Sequence, residues 1–189
     1  MTKKSAHDHV SGFSARQKRI ALIVVASAFA MDLLDSTIVD IAIPSIQTDL
    51  GASFASIQWL VAGYLLAFAT FLITGGRMGD VFGYKKIFMI GVGGFSLASL
   101  LSGFAWSPEI LIATRVLQGA SAALMVPQVL STVQIMYKPS ERGAINGLFG
   151  AIDGLAASLG PVIGGLLIQA NIAGLDWRPI FLINVPIGI

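Results

Sequence analysis

The chain contains 189 residues, of which 55% are hydrophobic and only 12% are charged. Soluble domains usually carry about 25% charged residues. A soluble chain of this size has no way to hide so much apolar surface from water, whereas a bilayer removes the need to. The net charge of +2 does not indicate nucleic-acid binding, because the basic residues lie between apolar runs, where they orient membrane helices.

Residue types that carry metal or nucleophilic chemistry are scarce in this sequence. There is no cysteine, which excludes disulfides, thiolate nucleophiles and cysteine metal sites. The two histidines, His7 and His9, lie in the polar N-terminal tail. We therefore expect no metal site and no bound cofactor.

Five apolar segments follow a polar, basic tail at residues 1–18, which we expect to be cytoplasmic and disordered. Each segment is long enough to cross a bilayer as a helix, which takes roughly 20 residues, and none alternates with period two as a strand would. The predicted helices cover about 20–44, 55–76, 86–106, 109–136 and 143–170. A sixth apolar run at 179–189 is too short to span, and we interpret the chain as truncated there.

The distribution of Lys and Arg predicts the orientation. Ten of the twelve fall on one side of the predicted membrane, in the tail and in the loops near 77–86 and 137–142. The opposite side carries only Arg178, and Arg115 lies within a helix. The positive-inside rule then predicts a multi-pass protein of the cell membrane with a cytoplasmic N-terminus.

Five charged residues lie inside the predicted helices: Asp32, Asp35 and Asp40 in the first, Arg115 in the fourth and Asp153 in the fifth. Each ionised group at such depth costs roughly 2.5–3.5 kcal/mol on insertion scales, so each should face the bundle interior or a water-filled cavity. At a rise of about 1.5 Å per residue, Asp35, Asp40 and Arg115 fall within reach of one another. We expect Arg115 to pair with one of the two carboxylates.

Such a pair has two interpretations. A carboxylate in apolar surroundings holds its proton more tightly, whereas a nearby arginine favours the charged form. A carboxylate that alternates between these surroundings binds and releases a proton in a cycle, and Asp35, Arg115, Asp32 and Asp40 are the candidates for this coupling. The alternative is a static ion pair.

Asp153 and Gln118 are candidates for lining a substrate cavity, although Asp153 is equally well explained as a hydrated, inert residue.

Five local patterns occur in a fixed order along these segments. Residues 34–44 read LDSTIVDIAIP, residues 76–86 read GRMGDVFGYKK, and residues 115–119 read RVLQG, followed by Pro127. Helix 5 carries Gly154, Gly160-Pro161 and Gly164-Gly165, and residues 177–188 read WRPIFLINVPIG. Together they resemble the major facilitator superfamily, specifically its drug:proton antiporters with fourteen helices, over residues 20–189.

The resemblance implies an all-α membrane protein of two six-helix halves, of which this chain is the N-terminal part: five complete transmembrane helices plus the start of a sixth, with the C-terminal half missing. In this resemblance, Asp35 corresponds to the family's acidic residue that is tied to proton translocation. Arg115 corresponds to the family's arginine that is associated with proton coupling. The family usually has Asn where this chain has Asp40, which adds a titratable group.

The same resemblance implies a conformational latch in the loop between helices 2 and 3. The matching residues are Gly76, Asp80, Gly83 and Lys85, whereas Val81 and Tyr84 depart from the basic residues that the family often has there. We expect Asp80 to precede helix 3, where exposed amides and the helix dipole favour a carboxylate, and Gly79 and Gly83 to permit a tight turn. The alternative is an ordinary connecting turn.

Helix 5 resembles the antiporter signature through Gly154, Gly160, Pro161, Gly164 and Gly165. Proline favours a kink because it removes a helical hydrogen bond, and glycines let a neighbouring helix approach closely. A second stripe of small residues runs through Gly150, Gly154 and Ser158. The alternative is plain helix packing.

The leading functional hypothesis is proton-driven export of small hydrophobic or cationic compounds by alternating access, with the lipid bilayer, protons and a small-molecule substrate as partners. A second hypothesis is a non-transporting fragment or a membrane assembly partner. An enzyme is the least supported class, because no helix carries histidine and no metal-ligand or phosphate-cradling motif occurs.

Overall fold

The computed structural model describes residues 13–188, which form five long helices followed by short helical turns. The long helices are α1 (Ala15–Leu50), α2 (Phe54–Phe82), α3 (Tyr84–Gly103), α4 (Pro108–Met136) and α5 (Pro139–Ala170). A 3₁₀ turn (Ile172–Gly174) leads to two short helices, α6 (Pro179–Leu182) and α7 (Asn184–Ile187). All five long helices are long and apolar enough to cross a membrane, which confirms the predicted all-α membrane bundle.

Serine side chains define where several helices begin. Ser14 accepts a hydrogen bond from the backbone N–H of Gln17, while the Gln17 side chain accepts from the Ser14 N–H. Ser53 and Ser107 accept in the same way at the starts of α2 and α4. These oxygens satisfy amide groups that a helix leaves without intrahelical partners.

The first helix is longer at both ends than the sequence predicts. Pro44 was expected to end it, but α1 continues to Leu50 and stops at Gly51, whose φ of 61° is left-handed. Proline removes a single backbone donor, which is tolerated within a long helix. The hydroxyl of Thr48 donates to the Pro44 carbonyl, at 2.9 Å, in the turn that follows. The predicted tail at 1–18 overlaps the start of α1, and its residues 1–12 lie outside the described part.

The second helix also exceeds its prediction, which ended at residue 76. It runs to Phe82, and Gly83 alone, with φ at 94°, separates it from α3. At the same end of the bundle, α5 starts at Pro139 rather than 143, where the side chain of Glu141 accepts a 2.8 Å hydrogen bond from the Lys138 N–H. Within the apolar run that starts at residue 179, residues 179–187 form α6 and α7 rather than one helix, and Ile189 lies outside the described part.

The bundle has two tight helix contacts around a central α4. Helix α4 packs against both α2 and α3, and α1 packs mainly against α5. One buried apolar cluster includes Phe95 and Met125, and the other includes Ile46 and Trp177. Many large apolar side chains on the outer faces of the helices are exposed in this chain, as expected where a surface meets lipid.

Glycine lets α2 and α4 approach until their backbones touch. A methyl group at Gly75 would overlap the carbonyl oxygen of Ala123, and one at Gly119 would overlap the carbonyl of Tyr64. The Ala123 carbonyl has no helical N–H donor, because the residue four positions later is Pro127, and proline has no backbone N–H. The side chain of Gln128, which is fully buried, donates across this interface to the Gly75 carbonyl at 2.8 Å.

Gly75→Ala is expected to destabilise the bundle, because its methyl group meets backbone rather than a movable side chain. Overpacking of this kind costs about 1–3 kcal/mol, so thermal unfolding in detergent should show a lower midpoint. The matched control is Gly93→Ala on α3, where, apart from adjoining residues of α3 itself, no atom of residues 13–188 lies within 4 Å of the added methyl group. Equal stability of the two variants would contradict the proposed close contact.

Candidate charge-coupling site

The centre of the bundle contains a buried ion pair between α1 and α4. Nη1 of Arg115 lies 2.5 Å from Oδ2 of Asp35. Asp35 is 1% exposed and Arg115 is 2% exposed, so water does not screen the two charges. The sequence left open whether Arg115 would pair with Asp35 or Asp40, and the structure places it with Asp35.

Three more polar side chains complete what we call the Asp35 network, which consists of Asp35, Ser99, Arg115, Gln118 and Asn184. Nε2 of Gln118 and Nδ2 of Asn184 both donate to Oδ1 of Asp35, at 2.8 Å and 2.7 Å. The hydroxyl oxygen of Ser99 accepts from the same two amides, at 2.8 Å and 3.3 Å. All five side chains are buried, and they come from four different segments.

The network satisfies Asp35 in its charged form. Its two oxygens accept three N–H bonds, one of them from a guanidinium, which is how a protein compensates for an ion removed from water. Nη1 of Arg115 also donates to Oε1 of Gln118 at 2.7 Å, and its guanidinium lies 4.2 Å from the centre of the Tyr64 ring. Such stacking stabilises a cation further. Among residues 13–188, Nε of Arg115 has no hydrogen-bond partner.

The other two aspartates of α1 lie outside this network. Asp32 is half-buried and accepts a hydrogen bond from the hydroxyl of Tyr64. Asp40 is exposed and lines a cavity of about 260 Å³, whose walls include Tyr64 and Arg115. The structure therefore brings Asp32 and Asp40 near the ion pair without including them in it.

The two residues predicted to line a substrate cavity have different surroundings. Gln118 is fully buried and bonded to Asp35, Arg115 and Ser99, so among residues 13–188 it faces the ion pair rather than an open cavity. Its long amide reaches both partners of the ion pair because it follows Arg115 by three residues on the same helix. Asp153 is exposed on α5.

The residues predicted as a latch loop are mostly helical. Gly76 and Asp80 belong to α2, Lys85 belongs to the first turn of α3, and only Gly83 breaks the helices. Asp80 does not cap α3, contrary to the prediction, because α2 continues past it; its carboxylate instead accepts a 2.6 Å hydrogen bond from the hydroxyl of Tyr84.

Gly79, the other glycine expected in a tight turn, is helical. A methyl group there would overlap the Gln128 side chain, so Gly79 serves the contact between α2 and α4. The prediction of a turn at Gly79 is therefore wrong, and a packing role replaces it.

The glycines of α5 fall into two groups. Gly160 and Gly164 lie against Thr37 and Ile38 of α1, and a methyl group at Gly160 would overlap the Thr37 hydroxyl. Gly154 and Gly165 have no atom of residues 13–188 within 4 Å of an added methyl group, and Gly150 and Ser158 of the second stripe are exposed. Helix α5 continues through Pro161.

A second polar contact holds the segment that precedes α6. Oδ2 of Asp49, at the end of α1, accepts hydrogen bonds from Nε1 of Trp177 at 3.0 Å and from Nη1 of Arg178 at 2.9 Å. The guanidinium of Arg178 also lies over the Trp177 ring, 4.6 Å from its centre. We call these three residues the Asp49 clamp.

The sequence predictions missed Ser99, Asn184 and the Asp49 clamp. A signal was present for Asn184, because it is an isolated polar residue within an apolar run, and polar groups at membrane depth need partners. Ser99 is one of three serines at spacing three, Ser96, Ser99 and Ser102, and the sequence did not single it out from the other two. The partners of Ser99 and Asn184 were not readable from the sequence, since contacts 85 and 149 residues apart depend on how the helices pack.

The ion pair predicts strongly non-additive effects on stability. Arg115→Leu and Asp35→Leu should each cost about 3–5 kcal/mol, because each leaves one buried charge without its partner. The double variant should cost far less than the sum, as measured by unfolding in detergent micelles. Arg178→Leu, which disrupts the partly exposed pair with Asp49, should cost about 1 kcal/mol or less. Additive costs at positions 35 and 115 would refute the coupling.

Comparison with known proteins agrees with this architecture. The chain is 48% identical over 169 residues to a probable actinorhodin transporter of Streptomyces coelicolor, covering 89% of this chain and 29% of that protein. It is 42% identical over 184 residues to a tetracenomycin C resistance and export protein of Streptomyces glaucescens, covering 97% and 33%. It is 43% identical over 169 residues to a puromycin resistance protein of Streptomyces alboniger, covering 89% and 33%.

The chain thus spans about a third of the length of these curated relatives. The sequence profile of the Major Facilitator Superfamily matches residues 25–189, a range that includes every member of the Asp35 network and the Asp49 clamp. With most of its length matched in this way, the chain belongs to the Major Facilitator Superfamily.

Proposed function

We propose that this chain forms the N-terminal part of a proton-coupled exporter of small hydrophobic or cationic compounds, an antiporter that works by alternating access. The observation that carries the proposal is the buried pair of Asp35 and Arg115 within a bundle of membrane-length helices. A charge held at that depth is costly unless it has partners, and ionisable residues inside membrane helices commonly mark proton and solute pathways.

Proton binding to Asp35 would change the forces between helices. The charged carboxylate accepts three N–H bonds, whereas a protonated carboxyl group also needs an acceptor for its own hydrogen. Protonation also removes the charge that compensates Arg115. Both changes weaken the attachment of α1 to α4, so the protonated and ionised forms would favour different arrangements of the bundle.

The relatives support the substrate class. Three of them are named for transport of, or resistance to, actinorhodin, tetracenomycin C and puromycin, and we propose that this protein exports compounds of comparable size. The exposed carboxylates of Asp40 and Asp153 and the half-buried Asp32 offer opposite charge to a cationic solute. Residues beyond this segment, in a protein of the relatives' length, would supply the facing wall of the pathway.

The predicted latch and antiporter residues fit the same mechanism. The bond between Tyr84 and Asp80 spans the single-residue break at Gly83, so α2 and α3 are joined by a contact that a moving partner can displace. On α5, Gly154 and Gly165 have open space beside them, which leaves that face free to approach another helix. We propose that both features act when the bundle changes conformation.

The proposed setting is the cell membrane, with the N-terminus in the cytoplasm. The sequence contains no cysteine, which permits a direct test with single cysteines. In intact cells, a membrane-impermeant thiol reagent is expected to label Trp106→Cys, on the side opposite the N-terminus, and not Lys138→Cys. Both native side chains are exposed. The protein without an introduced cysteine measures the background, and the reverse labelling pattern would invert the proposed topology.

Asp35→Asn tests the proposed coupling. This substitution keeps the shape of the side chain but removes the charge and the exchangeable proton. In the complete gene product in proteoliposomes, we expect efflux of puromycin or ethidium driven by a proton gradient to fall at least tenfold, while energy-independent exchange of the probe persists. Asp176→Asn is the control, because its positive φ of 51° suits asparagine equally well. Gradient-driven efflux at the normal rate in Asp35→Asn would rule out the assigned role.

A further inference from the structure

Asn184 is the residue that joins the Asp35 network to the short helix α7. It is the only member contributed by α7, is 1% exposed, and donates from Nδ2 to Oδ1 of Asp35 at 2.7 Å. The same amide lies 3.3 Å from the hydroxyl oxygen of Ser99 on α3. Through the first of these bonds, the segment that contains α6 and α7 contacts the carboxylate proposed to take the proton, and through the second it contacts α3.

The chemistry of an amide allows Asn184 to follow the state of that carboxylate. A primary amide carries a donor and an acceptor at nearly identical positions, and rotation by 180° exchanges them. When Asp35 is ionised it only accepts hydrogen bonds, so the N–H group of Asn184 is its favourable partner. When Asp35 is protonated it also donates, and the carbonyl oxygen of Asn184 can accept that bond. Arg115 has only donors and cannot respond in this way.

We propose that Asn184 is a positioning residue that reports the charge of Asp35 to the segment 177–188. The inference rests on the proposed role of Asp35 as the protonatable group. The Asp49 clamp holds the beginning of this segment against the end of α1, and Asn184 holds its other end against the middle of the same helix. A change at Asp35 therefore alters one of the two attachments and leaves the other in place.

The charged and titratable groups around Asp35 are few among the described residues. Arg115 of α4 is in direct contact, and Asp32 of α1 lies close enough to interact, together with Tyr64 of α2. The other hydrogen bonds to Asp35 come from the neutral amides of Gln118 on α4 and Asn184 on α7, and both amides also bond to the neutral Ser99 of α3. Removing the Asn184 donor thus changes a hydrogen bond to the ionised form without changing any formal charge.

Infrared titration of the complete gene product in lipid tests the inference without a transported substrate. The carboxyl band that disappears in Asp35→Asn belongs to Asp35, and its intensity against pH gives a titration curve. In Asn184→Leu, which keeps the bulk but loses the donor, the curve is expected to shift about 1 pH unit upward, a tenfold change in proton affinity. Asn184→Asp should shift it further, since two adjacent carboxylates share a proton.

The control is Ser96→Ala, one turn before Ser99 on α3, whose buried hydroxyl has no partner among residues 13–188; its curve should match that of the unsubstituted protein. If Asn184→Leu fails to reach the membrane, Asn184→Ala decides, because it also removes the donor without adding a charge. Unshifted curves in the Asn184 variants, with the Asp35 band present, would overturn this inference and leave proton coupling intact. Absence of any Asp35-dependent band would instead overturn the proposed coupling itself.

Discussion

The ion pair between Asp35 and Arg115 places opposite charges, both almost fully buried, on two helices whose contacts with their neighbours are mostly apolar. In surroundings that exclude water, neither charge is tolerable without the other. The remaining members of the Asp35 network follow from this requirement, because one arginine does not satisfy every lone pair of a carboxylate. Gln118 and Asn184 supply the remaining donors to Asp35, and Ser99 accepts a hydrogen bond from each of these amides. These bonds determine which faces of α3, α4 and α7 must turn inward.

Close backbone contact is the second requirement, since polar groups at the centre can meet only if the helices are near one another. Gly75 and Gly119 bring α2 against α4, and Gly160 and Gly164 bring α5 against α1. Each glycine removes a side chain at the point of contact, and the gain is dispersion and shorter hydrogen bonds rather than hydrophobic burial, because lipid is as apolar as the protein core. A network centred on α1 and α4 is thus supported by neighbours on both sides.

The sequence predicted the number, type and order of the long helices well, because uninterrupted apolar runs have few other solutions in a membrane. It also singled out Asp35 and Arg115, since charges inside such runs are conspicuous. Helix ends were less predictable: Pro44 was expected to end α1, yet the helix continued to a left-handed Gly51, and the loop expected at 77–85 was reduced to Gly83. The burial of Gln118 and the participation of Asn184 depend on packing between distant segments, which no local pattern encodes.

The attachment of Asn184 to Asp35 also bears on how the protein is made. Because synthesis starts at the N-terminus, the ribosome adds Asp35 well before Arg115, and Arg115 well before Asn184. Until residue 184 has been synthesised, the carboxylate of the first helix lacks one of its three donors. The polar centre of the bundle is therefore incomplete in any shorter nascent chain, and its completion is a late step in the synthesis of this segment.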